Sequence, residues 1–190
     1  MDSLRTELQK IAPLTDPEWK RFVAITKTQP LAKGEFFLTD HAICQHSAFV
    51  SVGVLRHFRT DAKGHEKIIQ FSLPGEFVSN CESHIHQKTS EYAIQAIETC
   101  ELVVFKNSDL QRLSQENPAF DKIGRQVTHQ LLASYKEHIT LLLTYTPEQR
   151  YQYMLANKPA LVTTVSVTHL SQFLGLTRET LSRIRGKVSM

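Results

Sequence analysis

Apolar residues in the first 27 positions recur at helical spacing: Leu4, Leu8 and Ile11, then Trp19, Phe22, Val23 and Ile25. A break near Pro13 and the start signal Thr15-Asp16-Pro17-Glu18 divide them, which predicts two short helices. From Gln29 to about Phe105 the texture changes to short β-rich runs at Ala48–Val52, Val54–Phe58, Ile68–Phe71 and Glu101–Phe105. Lys33-Gly34, Asp61-Ala62-Lys63-Gly64 and Pro74-Gly75 supply the turn chemistry between them, so an antiparallel roll or barrel is expected. Ser108-Asp109 then caps a short helix, and a longer helical pattern runs from Pro118 to Tyr145. Within it Phe120, Val127, Ser134 and Leu141 recur every seven residues, with Gly124, Leu131, His138 and Tyr145 as the interleaved row. Such a seam suits a second helix of a partner copy or, failing that, packing on the β domain. Thr146-Pro147-Glu148 starts the next helix and Lys158-Pro159 ends it. The β-branched stretch Leu161–Val167 predicts a short strand or an extended connector.

The segment Val167–Ile184 reads as helix, tight turn, helix. Gly175 can take the left-handed conformation that ends the first helix, and Thr177 is a good cap for the second. Leu170, Phe173 and Leu174 form the buried side of the first. On the second, at about 100° per residue from Arg178, the residues Leu181, Ile184 and Val188 fall at roughly 300°, 240° and 280°. Arg178, Glu179, Ser182 and Arg183 cover roughly 0–140°. An apolar side that seats the helix and a polar side that faces outward are what reading a major groove requires, with arginine donating to guanine and glutamate accepting from cytosine. Thr177, Arg178, Glu179, Ser182, Arg183 and Lys187 are the candidate DNA-binding residues, with Arg185 and Arg150 as further phosphate contacts. An amphipathic surface helix with solvated charges is the plain alternative.

Charge sharpens this picture. The 190 residues hold 22 Lys and Arg against 19 Asp and Glu, a near-balance. Residues 147–190 hold 6 against 2, net +4, and residues 1–146 hold 16 against 17, net −1. A small basic module is thus attached to a neutral body. With 41% apolar residues the chain can bury a core, and no apolar run approaches the roughly 20 residues that span a bilayer. The polar start lacks the layout of a secretion signal, so a cytoplasmic chain without a membrane partner is expected. Cys44, Cys81 and Cys100 are odd in number and widely spaced, which suits reduced thiols. No Gly-rich phosphate loop or Gly-x-Ser-x-Gly elbow occurs, so no enzyme activity is expected.

Gly175-Leu176-Thr177-Arg178-Glu179-Thr180-Leu181-Ser182-Arg183-Ile184 resembles the helix-turn-helix of the Crp/Fnr superfamily of bacterial transcription regulators. That resemblance implies base contacts for Arg178, Glu179 and Arg183. Leu31-Ala32-Lys33-Gly34-Glu35, Gly53-Val54-Leu55, Leu73-Pro74-Gly75-Glu76-Phe77 and Thr99-Cys100-Glu101-Leu102 look like pieces of the family's cyclic-nucleotide-binding-type β-roll, in the right order. It implies an α+β chain: a β-roll sensor domain at 1–116, a dimerisation helix at 117–146 and a C-terminal, winged-helix-like helix-turn-helix domain at 147–190. The implied partners are double-stranded DNA with a pseudo-palindromic site, a second copy of the chain, RNA polymerase and an unidentified small-molecule effector. Met190 follows directly on the recognition helix, so the elements that often come after it in the family are expected to be short or missing. The other reading is a ligand-binding or protein-interaction module whose helix-turn-helix no longer engages DNA.

The sensor half departs from the family's nucleotide-binding pattern. Ser79-Asn80 stands where a Gly-Glu pair would fall, and Ser90-Glu91 where an Arg-Ser pair would fall. A carboxylate with no arginine beside it disfavours a phosphate, so cyclic AMP binding in the usual mode is not expected. Asn80, Glu82, Ser90, Glu91 and Tyr92 are the candidate lining of an effector pocket for a cationic or neutral ligand, unless the cavity is filled. His84-Ile85-His86, with Cys81 and Glu82 close by, reads as a polar loop carrying histidines rather than a metal site on a strand. Met1–Ile43 contains no cysteine for an iron–sulfur cluster, and neither a metal nor another cofactor is expected.

Overall fold

The structure is a computed structural model that describes residues 1–188, for Val188 the backbone alone. The chain opens with helices α1 (Asp2–Ile11) and α2 (Asp16–Ala24). Thr15 and Glu18 form a reciprocal capping box at the start of α2, with proline in its first turn. Eight strands follow: β1 (Thr26–Leu31), β2 (Phe36–Leu38), β3 (His46–Val52), β4 (Leu55–Thr60), β5 (Glu66–Ser72), β6 (Phe77–Val78), β7 (Ala93–Ala96) and β8 (Cys100–Lys106). They form two four-stranded sheets, ordered β1-β8-β3-β6 and β2-β7-β4-β5. The antiparallel roll expected from the spacing of turns is therefore present.

The middle of strands β3 and β8 in the first sheet is buried on both faces, which explains why Leu102-Val103-Val104-Phe105 reads as an unbroken apolar run. Leu102 and Val104 of β8, with Ala48 and Val50 of β3 and Val78 of β6, pack into the roll. Val103 and Phe105, with Phe49 and Phe77, pack against Leu4, Leu8 and Phe22 of the amino-terminal helices. The register brings Ala48 opposite Val104 and Val78, and Phe49 opposite Val103 and Phe77. Gly53 sits at φ +87°, and a Cβ there would come within 2.5 Å of the Thr99 carbonyl, so the turn into β4 needs glycine.

Between β6 and β7 lies α3 (Cys81–His86), where a histidine-bearing loop was expected. Asn80 caps it by accepting from the Ser83 N–H at 3.1 Å, and a left-handed Gln87 ends it. On a helix His84 and His86 are about 200° apart, so they do not share a face. Helix α4 (Asn107–Glu116) starts one residue before Ser108, with no side-chain cap. Helix α5 (Pro118–Thr144) covers the long pattern as expected.

From Pro147 onward all regular structure in the described residues is helical: α6 (Pro147–Asn157), α7 (Pro159–Thr164), α8 (Val167–Phe173) and α9 (Arg178–Val188). A Thr146–Gln149 capping box opens α6. Of the stretch Leu161–Val167, expected to be extended, Leu161–Thr164 belong to α7, Val165 and Ser166 are extended, and Val167 opens α8. Pro159 at the start of α7 and the burial of Leu161 and Val162 at one face override the β preference of the branched residues. Two compact units result: Met1–His57 with Phe71–Leu132, and Phe58–Gln70 with the chain from Ala133 on.

Candidate nucleic-acid interface

In the second unit, α8 begins at Ser166, whose hydroxyl accepts from the His169 N–H at 3.1 Å. It ends in a Schellman turn: the Leu176 N–H donates to the Ser171 carbonyl at 2.9 Å and the Gly175 N–H to the Gln172 carbonyl at 3.2 Å. Gly175 takes φ +65°, the conformation for which glycine was expected there. Thr177 caps α9 by accepting from the Thr180 N–H at 3.1 Å. The chain thus turns from α8 to α9 across four residues, and the two helices pack on each other.

Leu181 and Ile184 are fully buried on the inner side of α9. Val188, the third apolar residue expected on that side, has its side chain outside the described residues. Thr177, Arg178, Glu179, Ser182, Arg183 and Lys187 are all exposed. The structure brings Arg178, Glu179, Ser182 and Arg183 around one shallow, solvent-open hollow. The Glu179 carboxyl is held below the ordinary carboxylate range by its own backbone N–H and by the Thr177 hydroxyl, so the hollow carries a carboxylate as well as two arginines. The arrangement offers guanidinium donors and a carboxylate acceptor on one rigid face.

Arg150, expected to reach a phosphate, is instead structural. Its three guanidinium nitrogens donate to the Tyr145, Leu174 and Leu142 carbonyls at 3.0, 2.9 and 2.6 Å. Those carbonyls include the end of α8 and the last turn of α5, where backbone acceptors lack helical partners. Arg185 is half-buried. His138 of α5 stacks on Phe173 of α8 with ring centroids 3.9 Å apart and 8° between planes. Its Nε2 also lies 2.7 Å from the Phe173 carbonyl, and burial draws its pKa down. No sequence signal couples His138 to Phe173 or Arg150 to Leu174, because each pair meets only through tertiary packing.

The effector candidates of the first unit fare differently. Asn80 and Ser90 are buried, and Asn80 Nδ2 donates to Ser90 Oγ at 2.8 Å, which donates in turn to the Tyr92 carbonyl at 2.6 Å. Glu82 is exposed on α3, and Glu91 is exposed beside Ser90. Three of the five are therefore joined in one buried hydrogen-bonded chain, while both carboxylates face away from it into solvent. Nearby, His57 is fully buried, its ring centroid 5.9 Å from Tyr92 and its Nε2 2.9 Å from Ser72 Oγ. Burial pulls its pKa down to about 3, so the ring is neutral. The three cysteines are free thiols, and the described residues contain no group of three or more His, Cys, Asp or Glu suited to a metal. None of the described helices is long and apolar enough to cross a membrane.

The seam expected on α5 is only partly what the structure exposes. Phe120 and Leu141 are buried within the chain, whereas Leu132, Ile139 and Leu143 are 61%, 56% and 79% exposed. Spacings of seven and four put these three on one side of the helix. The exposed apolar stripe is thus rotated from the one the heptad count selected, whose Phe120 and Val127 pack into the core of the first unit.

Comparison with known proteins agrees with this architecture. Residues 28–117 match the cyclic nucleotide-binding domain family. The nitrogen fixation regulation protein FixK of Bradyrhizobium diazoefficiens is 25% identical over 177 residues, 87% of this chain and 73% of that protein. The transcriptional regulatory protein btr of Bordetella pertussis is 29% identical over 146 residues, 71% of this chain and 60% of that protein. The solved structure of FixK2 from Bradyrhizobium japonicum superposes with a TM-score of 0.76 at 20% identity, covering 87% of this chain and 85% of that one. A β-roll, a long helix and a terminal helix-turn-helix make up the fold that this chain shares with that structure. The chain thus carries a match to a cyclic nucleotide-binding domain over residues 28–117 and is similar in sequence to the regulators FixK and btr.

Proposed function

We propose that this chain is a homodimeric, sequence-specific DNA-binding regulator of transcription, with α9 of each copy in one half-site of a pseudo-palindromic duplex. The observation that carries the reading is the exposed set Arg178, Glu179, Ser182 and Arg183 on a helix whose opposite side, Leu181 and Ile184, is fully buried. A helix so anchored holds its polar side chains at fixed positions against base edges, and Lys187 at its end supplies a phosphate contact. The exposed stripe Leu132, Ile139 and Leu143 supports pairing of two copies along α5. An effector on the sensor domain would act by favouring one disposition of the two DNA modules over another. Cyclic AMP in the usual mode is disfavoured: Asn80 and Ser90 are engaged with each other, and the residue beside Ser90 is a carboxylate.

Selection of binding sites from random duplex DNA tests this directly. The expected product is an inverted repeat with half-sites about 10 base pairs apart, bound with an affinity that falls steeply as salt rises. Absence of any enriched sequence, or enrichment that survives Arg178→Ala together with Arg183→Ala, would overturn it.

A further inference from the structure

His138 stands in the interleaved heptad row of α5, where an apolar residue would serve a pair of helices best. Within the second unit it turns instead to the end of α8. Its ring lies flat on that of Phe173, 3.9 Å between centroids, which resists tilting. Its Nε2 lies 2.7 Å from the carbonyl of the same residue, which resists sliding. Each contact alone leaves Phe173 one way to shift, and together they close both.

The carbonyls over the last turn of α8 and its exit are all engaged. Those of Leu170, Ser171 and Gln172 accept from the Leu174, Leu176 and Gly175 N–H groups at 3.0, 2.9 and 3.2 Å, within the helix and its glycine turn. Those of Phe173 and Leu174 are taken by side chains from outside the helix, His138 and Arg150. Burial draws the His138 pKa down and Lys158 adds to the lowering, against the Phe173 and Ile69 carbonyls and Glu137, which raise it. At neutral pH the ring therefore has one N–H, and because a carbonyl only accepts, that proton sits on Nε2. Stacking by itself would be served as well by phenylalanine, without the cost of drying a polar ring. What imidazole adds is one directed donor at the ring edge, and that donor meets the last residue of α8. Beyond Phe173, Leu174–Thr177 lead directly into α9, so the placing of Phe173 sets where the reading helix begins.

We propose that His138 is a positioning residue for DNA recognition: its Nε2–H, aimed at the Phe173 carbonyl, fixes the point from which α9 presents Arg178, Glu179 and Arg183 to the bases. This role rests on the DNA reading and gives His138 no contact with DNA itself.

The test compares the full chain with His138→Phe and His138→Gln, each on a selected operator and on an unrelated duplex. Phenylalanine keeps a flat ring on Phe173 and lacks the donor, whereas glutamine lacks the ring and can place an amide N–H where Nε2 stood. His138→Phe should lose about tenfold in operator affinity and hold the unrelated duplex within about twofold of the parent, because phosphate contacts survive a misplaced helix. His138→Gln should recover operator affinity to within about threefold of the parent. A part in stability alone would move both affinities together or neither. Heteronuclear NMR of histidine-labelled parent gives a readout that needs neither DNA nor a folded variant, and His138 should show a protonated Nε2 and a bare Nδ1 at neutral pH. Parental operator affinity in His138→Phe, a parallel loss on both duplexes, no recovery in His138→Gln, or a proton on Nδ1 in place of Nε2 would each overturn the proposal and leave the DNA reading standing. A parent that prefers no duplex sequence would instead overturn that reading, and the proposal with it.

Discussion

Helix α9 and the wall formed by Asn80, Ser90 and Tyr92 both carry polar side chains and use them in opposite ways. On α9 Arg178, Arg183, Glu179 and Ser182 project into solvent above an apolar underside. In the wall the amide of Asn80 and the hydroxyl of Ser90 are buried and bonded to one another. A polar side chain held rigidly in water can exchange its hydration for an outside partner, whereas one already paired inside a core can do so only by breaking the core. Residue type alone therefore does not separate recognition from architecture, and the direction in which the side chain is held does.

That contrast can be broken most forcefully inside α9 itself. Leu181→Ala should cost about 2–5 kcal/mol in urea unfolding, while Arg183→Ala, two residues away on the other side, should leave stability within about 0.5 kcal/mol. Equal losses from the two would erase the distinction between the sides. A second large effect concerns His57, whose pKa is about 3 in the fold against an ordinary 6.5. Between those values the unfolded chain binds a proton that the folded one refuses. The contribution is therefore complete above pH 6.5 and is lost as pH falls toward 3, at about 1.4 kcal/mol per unit. The stability of His57→Phe should fall less steeply with acid than the parent over that window, by about one proton's worth of slope.

Smaller effects sharpen the same comparison. Arg178→Ala or Arg183→Ala should each cost roughly 1–3 kcal/mol in affinity for a selected operator and relax base preference, with the melting temperature unchanged. Asn80→Ala should show the converse, a loss of about 1–3 kcal/mol in stability from the lost bond to Ser90 and the uncapped Ser83 N–H, with operator affinity of the folded protein unaltered. Thr177→Ala removes a helix cap and should cost about 1 kcal/mol by the same unfolding measurement, most of it restored in Thr177→Ser.

Local chemistry in the sequence was enough to locate the roll, the long helix and the helix-turn-helix. Gly175 and Thr177 act through neighbours within five residues, and the runs around β3, β4 and β5 are followed by turns that glycine and proline announce. What stayed hidden depends on distant partners. Leu161-Val162 prefers an extended backbone until Pro159 and a buried face impose α7. The α3 helix depends on Asn80, whose cap also ties it to Ser90 ten residues away. Arg150 looks like any surface cation until the carbonyls of Leu142 and Leu174 converge on it. In the candidate site the polar face of α9 was readable from the wheel, because helix periodicity alone fixes it, whereas the effector wall required knowing which hydroxyls were already taken.

The guanidinium of Arg150 has a mechanical consequence. One planar, permanently charged group fastens the final turn of α5 to the exit of α8, and a methyl at Gly175 would already press on it at 3.4 Å. A hinge needs slack, and at this junction three charge-assisted bonds remove it. The last turn of α5, the exit of α8 and the turn at Gly175 are thus keyed together like parts on a splined shaft, and the helix that follows Gly175 starts from a fixed seat instead of swivelling on the glycine.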